Sequence, residues 1–586
     1  MKFLFSYLKK YKVMIFTAMV IKVTGTLGEL MIPYVLEHMV DNVAPTKNTA
    51  QIFLWGGIMI VLAILVRQFN VNANRRSVKV AEECTYEIRR DLFWKSINLS
   101  GGQIDEVGLP SLNSRMTSDS YNVQNFIRSI QTMGIRAPIM LLGGIFITLT
   151  MDVGLASILC IMAPIMIAVV VFVSRKGIPL YDKVQRSVDD IVRIMRENIT
   201  GIRVVKALSK EDYERRRYAK ANDNMAKNDI KASIVMALPG PIMTLFLNSG
   251  LTLVVIVGAH RVNSGVTQPG VILAFLTYFN MILMGVMGLN RVFMMMSKAN
   301  ASANRIAAVV LTEEELTPVP SEKAAVTDRK EYIIFDHVNF SYGKGDDEEN
   351  TEKFAGTGRE KCLSDIDFSM KKGGSLGIIG ATGCGKTTII NLLMRFYDAE
   401  EGSIFIDGKD VRTYDKDELH RMFGVVFQND VIFADTLKEN ISFGRKVSGE
   451  EMSRAAADAK AAEFIEKYED SYEHKAQIHG SNLSGGQRQR VLIARALAAK
   501  PDILILDDSS SALDYKTDAA LREAIRTNHS EATTIIVAQR ISSIMNLDDI
   551  IVLEEGKIIG HGTHEDLLQT CEMYQEIYRT QMGEGR

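Results

Sequence analysis

The sequence has no excess of positive charge: 68 Lys and Arg against 70 Asp and Glu leave a formal net charge of -2 over 586 residues. A dedicated nucleic-acid binder needs a strongly basic face, so that class is set aside. Cysteine is scarce. Cys84, Cys160, Cys362, Cys384 and Cys571 are odd in number and scattered, with no metal-like pairing, which argues for a reduced, cytoplasm-facing environment. A cleaved secretion signal is not expected, because the first apolar run is too long and no small-residue cleavage site follows it. Nor does a protease domain with a Cys and His pair precede residue 13, which disfavours processing of a peptide cargo.

What the chain does have is length enough for more than one core. Its composition also divides: up to about residue 310 it is rich in long Met, Ile, Leu and Val runs, and beyond that it alternates charged and short apolar segments. Six segments suffice to cross a bilayer, at roughly 13–38, 51–71, 132–151, 154–174, 233–259 and 271–296. Lys9, Lys10, Lys12, Arg67, Arg75, Arg76, Arg175, Lys176, Lys298 and Arg305 all fall on one side of these segments. The opposite loops carry few basic residues, so both termini are expected in the cytoplasm of a multi-pass protein of the cytoplasmic membrane. Two polar, helix-patterned connectors of about 60 and about 58 residues follow the second and fourth segments, too long to be structureless. They read as helices extending well into the cytoplasm.

Ionisable groups inside a membrane segment need a reason. Lys22, Thr26 and Glu29 share one helix face, which either lines a water-filled path or meets partner helices. The sixth segment carries Met281, Met284, Met287, Met294, Met295 and Met296 around Asn290 and Arg291. Such a stripe suits either ordinary packing or a surface that accommodates varied apolar ligands.

The soluble half begins after a Pro-containing, charged linker at 311–330 and opens with the strand-like "EYIIFDHVNFSY". Its strongest motif is "GATGCGKT", Gly380 to Thr387, a complete phosphate-binding loop between a strand-like and a helix-like stretch. Consecutive backbone N–H groups of such a loop converge on phosphate oxygens at a helix N-terminus. Gly380, Thr382, Gly383, Cys384, Gly385, Lys386, Thr387 and Thr388 are therefore the expected ATP-contacting set, with Lys386 reaching the β- and γ-phosphates and Thr387 holding Mg²⁺. Cys384 is either a reactive thiol, favoured by the helix start, or merely a small residue. "ILILD", Ile503 to Asp507, reads as a buried parallel strand ending in an acid for the Mg²⁺ shell. "LSGGQ", Leu483 to Gln487, opens a further helix. Ser484, Gly485, Gly486 and Gln487 form a second phosphate-binding surface, which makes sense if it faces an ATP held by another subunit.

With these motifs in this order, the chain resembles the ATP-binding cassette exporters that fuse membrane and nucleotide-binding domains in one half-transporter. The resemblance spans nearly the whole chain. It implies a membrane all-α domain of six helices at 1–310, the linker at 311–330, and an α/β P-loop nucleotide-binding domain at 331–586. It further implies that Tyr342 stacks on adenine, that Gln428 contacts Mg²⁺ and couples to the membrane domain, and that Ser511 to Asp514 bridge two nucleotide sites. Ser114 to Val123 resembles the first coupling turn and Gly201 to Leu208 the second.

Three departures from that pattern matter. Asp508 stands where the resemblance implies a catalytic Glu, and its shorter side chain places the carboxylate about 1 Å from where it polarises water, a shift that can cost about 10²-fold. Gln539 stands where a switch His is implied, and it cannot carry imidazole's charge or proton. Ile478 occupies the place of an acid before the signature, in a loop that senses the coupling helices. An acidic insertion between Tyr342 and the phosphate loop is expected to be a solvated loop or hairpin without catalytic role. The combination is that of one half of a heterodimeric exporter of lipophilic or drug-like substrates: its own site binds ATP and turns over poorly, while its LSGGQ completes the site of a homologous partner that carries Glu and His. The alternatives are a homodimeric exporter with slow ATPase and a nucleotide-gated channel or sensor. An importer is disfavoured, since importers of this superfamily usually keep the two parts on separate chains.

Overall fold

The computed structural model describes residues 1–320, 322, 324–342, 361–509 and 512–583. The acidic insertion, save Lys361, and Ser511 lie outside the described residues. The chain divides into two compact units, one of Met1–Ile97 with Pro110–Thr312 and one of Asn98–Leu109 with Glu313–Arg586.

The first unit is all helix. Among the described residues, six stretches are long and apolar enough to cross a membrane: Lys2–Thr46, Thr49–Asn98, Leu109–Met151, Val153–Thr200, Glu211–Asn263 and Pro269–Val310. Each contains one of the six apolar segments of the sequence. The helix Thr49–Asn98 has 50 residues, about 75 Å at 1.5 Å per residue, whereas a hydrocarbon core is about 30 Å thick. More than half of it therefore continues beyond the bilayer, as the polar connectors imply. Its counterpart Val153–Thr200 packs along Glu211–Ala237, with Asn228 donating to the Ser187 hydroxyl at 2.8 Å. Between them Gly201 opens the short separate helix Ile202–Ala207, the expected second coupling turn, and its Val204 is exposed.

Of the Lys22–Thr26–Glu29 face, each member has a different environment. Lys22 donates to Asn70 at 2.8 Å and Asn74 at 3.2 Å. Thr26 donates back to the Lys22 carbonyl at 2.8 Å, the usual way a hydroxyl is satisfied inside an apolar helix. Glu29 accepts both Nη2 and Nε of Arg136, at 2.5 and 3.2 Å.

The second unit is α/β. A six-stranded sheet has the order β10-β9-β3-β8-β7-β6, and a four-stranded sheet the order β2-β1-β4-β5. The smaller sheet is antiparallel and comprises β1 (Ile333–Phe340), β2 (Leu363–Met370), β4 (Glu401–Ile406) and β5 (Lys409–Asp410). In the larger, β3 (Ser375–Gly380), β6 (Phe423–Val426), β7 (Ile503–Asp507), β8 (Thr533–Val537) and β9 (Asp549–Glu554) run parallel, with β10 (Lys557–Gly562) antiparallel at the edge. Every residue of β7 and β8 is buried, as strands covered on both faces require.

One expectation is corrected. Ser114–Val123 is not a turn associated with the nucleotide-binding fold. It continues through a π-helical turn, Arg115–Asp119, into the helix Ser120–Met151 of the first unit. There the buried Asp119 accepts from the Ser302 hydroxyl at 2.7 Å and from Arg305 Nε at 2.9 Å. The segment that folds with the second unit is Asn98–Leu109. Its short helix Gly101–Val107 is started by a capping box in which Ser100 and Gln103 satisfy each other's backbone N–H groups. The Gly101 N–H then donates to the Phe396 carbonyl at 3.1 Å, Tyr397 Oη to Asp105 at 2.6 Å, and Ser100 Oγ to Glu315 at 2.6 Å.

Asp119→Ala should lower the thermal midpoint of the detergent-solubilised chain by an amount corresponding to about 1–3 kcal/mol, below the full cost of breaking a buried ion pair because Arg305 is half exposed. ATP binding should persist, since Asp119 belongs to the other unit; a variant indistinguishable in stability would remove the structural role assigned to this contact.

Candidate nucleotide site

The site forms where three parallel strands end side by side. β3 leads into the phosphate loop, β7 ends in Asp507 followed by Asp508, and β8, which lies between them, leads to Ala538 and Gln539. Ligands bind at such carboxyl ends of open parallel sheets because the helix N-termini that follow point their N–H groups there. A cavity of about 280 Å³ is lined by Tyr342, Cys362, Thr382, Gly383, Gly385, Lys386, Thr387, Thr388, Gln428, Asp507, Asp508, Val537, Ala538 and Gln539.

Within the loop, Gly383 and Gly385 have φ of +85° and +102°, a backbone region that residues with a Cβ rarely adopt. A Cβ on Gly385 would also lie 2.6 Å from a Leu363 methyl. This conformation turns the loop into the helix Lys386–Leu393. Lys386 Nζ donates to the carbonyls of Gly380 and Ala381 at 2.9 and 2.7 Å, which holds the ammonium over the loop it serves. Thr387 Oγ1 donates to Asp507 Oδ2 at 3.0 Å. Burial pushes the Asp507 carboxyl above its usual range against the pull of the Thr387 hydroxyl, and Asp508 alongside adds to the rise. A buried carboxylate and a hydroxyl already in contact, with the Gln428 amide in the same cavity, form an oxygen donor set that fits Mg²⁺ together with phosphate.

Tyr342, expected beneath adenine, lines the cavity, and its Oη lies 3.2 Å from Thr388 Oγ1. It packs edge-on against Tyr397 at 5.2 Å between ring centroids, and Tyr397 is the residue that binds Asp105. The sequence reading did not single out Tyr397. The only signal was its aromatic character in "MRFYDAE" after the phosphate-loop helix. Cys362, with Sγ 3.4 Å from Thr388 Oγ1, was also missed, because it precedes its strand and has no motif around it.

The two altered positions meet. Gln539 Nε2 donates to Asp508 Oδ2 at 3.0 Å, and Gln428 Nε2 approaches the same oxygen at 3.5 Å. Asp508 has φ of +48°, a conformation that Asp tolerates better than most residues, and its N–H donates to the Val537 carbonyl at 2.9 Å. Burial raises its carboxyl pKa, opposed by the nearby Lys386 and Arg540 charges.

Ser484, Gly485, Gly486 and Gln487 are absent from this cavity's lining, and so is Cys384, which is buried in the loop. Ser484 caps the helix Gly485–Leu497: its hydroxyl accepts from the Gln487 N–H at 3.2 Å, and its own N–H donates to Gln487 Oε1 at 2.8 Å. The signature is thus an exposed helix start separate from the phosphate loop of the same chain. Ile478, in the preceding loop, is also exposed.

A phosphate loop, a Mg²⁺-type carboxylate and a signature helix, carried on one chain with six membrane-crossing helices, define an ATP-powered membrane transporter. The comparisons with known proteins agree. The family model of the ABC transporter transmembrane region matches residues 15–287 and the ABC transporter model residues 363–511. The uncharacterized ABC transporter ATP-binding protein YfiB of Bacillus subtilis is 34% identical over 580 residues, covering 99% of this chain and 98% of that one. The uncharacterized ABC transporter ATP-binding protein MT1311 of Mycobacterium tuberculosis is 31% identical over 581 residues, covering 98% and 97%. Among solved structures, a bacterial Atm1-family ABC exporter with ATP bound superposes with a TM-score of 0.79 at 24% identity, over 98% of this chain and 99% of that chain. The chain belongs to the ABC transporter family, with the membrane region and the ATP-binding region fused in one chain. Its fold class, six apolar membrane helices followed by an α/β nucleotide-binding domain, is the one expected from sequence.

Asp507→Asn should weaken Mg²⁺-dependent binding of a fluorescent ATP analogue about tenfold or more, since hydrogen bonds and contacts to a charged partner are each worth about 1.5–3 kcal/mol. Chelating the metal should produce the same loss in the unaltered chain and little further loss in the variant. Additive losses would place the metal away from Asp507.

Proposed function

We propose that the chain is the degenerate-site half of a heterodimeric exporter that moves lipophilic or drug-like molecules out across the cytoplasmic membrane, with both termini and the nucleotide-binding domain on the cytoplasmic side. The observation that carries this reading is the hydrogen bond between Gln539 and Asp508. In a hydrolytic site the acid after the metal-binding Asp must offer a carboxylate oxygen to water, and the switch residue must reach the γ-phosphate. Here the two side chains engage each other. The Asp508 carboxylate is a methylene short of the Glu it replaces, and one of its oxygens is occupied by an amide donor that has no proton to exchange.

Binding is a different matter, because every group it requires is present. The glycine amides and Lys386 receive the phosphates, Tyr342 offers a ring for the base, and Thr387, Gln428 and Asp507 hold Mg²⁺. Bound there, Mg²⁺ neutralises phosphate charge. ATP so held remains intact for long periods and lies against the signature of a homologous partner subunit. Ser484 to Gln487 of this chain, capped as a helix start with Ser484 and Gly485 exposed, complete the partner's site, where a Glu and a His carry out hydrolysis. The chain is then a transport ATPase whose catalysis proceeds mainly at the composite site it shares.

Restoring both side chains, Asp508→Glu with Gln539→His, should change the ATPase rate of the assembled transporter by no more than about twofold, since the partner's site sets the turnover. A gain of tenfold or more would show that this site limits the cycle, and would assign hydrolysis to it.

A further inference from the structure

Inside the membrane unit, away from the nucleotide site, lies a cavity of about 180 Å³ whose lining includes Lys22, Asn74, Arg136, Met133, Met140 and Met284. Its charges do not balance. Arg136 is answered by Glu29 through two contacts, at 2.5 and 3.2 Å. Lys22, only 4% exposed, has only the amide oxygens of Asn70 and Asn74, and among the described residues no carboxylate lies within ion-pair distance of its ammonium. A buried ammonium held by two neutral acceptors is costly to keep at membrane depth unless an anion answers it at some stage. The wall also carries Met133, Met140 and Met284, flexible and polarizable side chains that suit an apolar tail of variable shape. No acidic residue is among the cavity's lining residues.

From this arrangement we infer that the cavity is a head-group subsite: Lys22 receives the anionic end of an amphiphile, a carboxylate or phosphate, while Met133, Met140 and Met284 hold the start of its tail. Asn70 and Asn74 keep the ammonium oriented before the ligand arrives, and the Glu29–Arg136 pair closes the polar side of the cavity. The inference rests on the export reading and names the class of molecule the cavity favours.

The test uses the purified full chain in phosphatidylcholine nanodiscs without ATP, with a dansyl-labelled fatty acid as displaceable probe. The competitors are dodecyl phosphate, dodecanoate, dodecanol, dodecyltrimethylammonium and inorganic phosphate. Dodecyl phosphate and dodecanoate should displace the probe at concentrations about tenfold or more below those of dodecanol and dodecyltrimethylammonium, the scale of a hydrogen-bonded charge. Inorganic phosphate, which has the head without the tail, should not displace it. The preference should disappear in Lys22→Met and Lys22→Gln and persist in Lys22→Arg. Equal displacement by anionic, neutral and cationic amphiphiles, displacement by inorganic phosphate alone, or a preference retained in Lys22→Met would each overturn the assignment. The wild-type comparison decides the matter even where a variant does not fold. ATP-driven transport without any head-group preference would overturn the subsite alone, whereas the preference without ATP-driven transport would overturn the export reading alone.

Discussion

The register of the three strands β3, β8 and β7 governs the nucleotide site. Ile378 pairs with Val537, and Val537 pairs with Asp507, so the phosphate loop, the Asp507 carboxylate and Gln539 emerge level with one another at one edge of the sheet. A slip of one residue would turn every side chain of a strand to its other face, exchanging Ile503 and Ile505 with Leu504 and Leu506 between two separately packed core clusters, so packing favours a single alignment. Positions within the strands are therefore fixed by packing. The residues just beyond the strand ends are not, and Asp508 and Gln539 both occupy such places.

Under the proposed reading, that division lets Asp508 and Gln539 alter turnover without disturbing the loop beside them. Lys386 keeps its bond to the phosphate loop and Thr387 its bond to Asp507, while the pair beyond the strand ends forms a hydrogen bond of its own. On that reading binding strength and turnover are separable, because the proposal assigns them to different side chains of one cavity. The start of the signature helix, capped by its own Ser484 and Gln487, lies outside the cavity that Asp508 lines.

Much of this was legible in the sequence because the signals are local. The phosphate loop and the strand "ILILD" each carry their chemistry and their context within a dozen residues, and the six membrane segments announce themselves by length. The contacts that join distant parts of the chain were not legible. Tyr397 binds Asp105 and packs on Tyr342, three residues from three parts of the sequence, and no periodicity links them. The resemblance puts the first coupling turn at Ser114–Val123, whereas the segment that folds with the nucleotide-binding unit is Asn98–Leu109; the capping pattern at Ser100 and Gln103 is a signal that looks like any other helix start. The Lys22–Thr26–Glu29 face was visible from helical spacing, yet which of the three meets a cavity depends on Asn70, Asn74 and Arg136, brought in from other helices. The hydrogen bond between Asp508 and Gln539 likewise joins residues that the sequence shows only as two separate anomalies.

The most direct measurement is the ATPase rate of the purified full-length chain, reconstituted alone and compared with its equilibrium binding of ATP and Mg²⁺. Stoichiometric binding with turnover close to the protein-free background is the expected result. Brisk steady-state hydrolysis with no other subunit present would contradict the degenerate-site role and make the chain a self-sufficient homodimeric transporter.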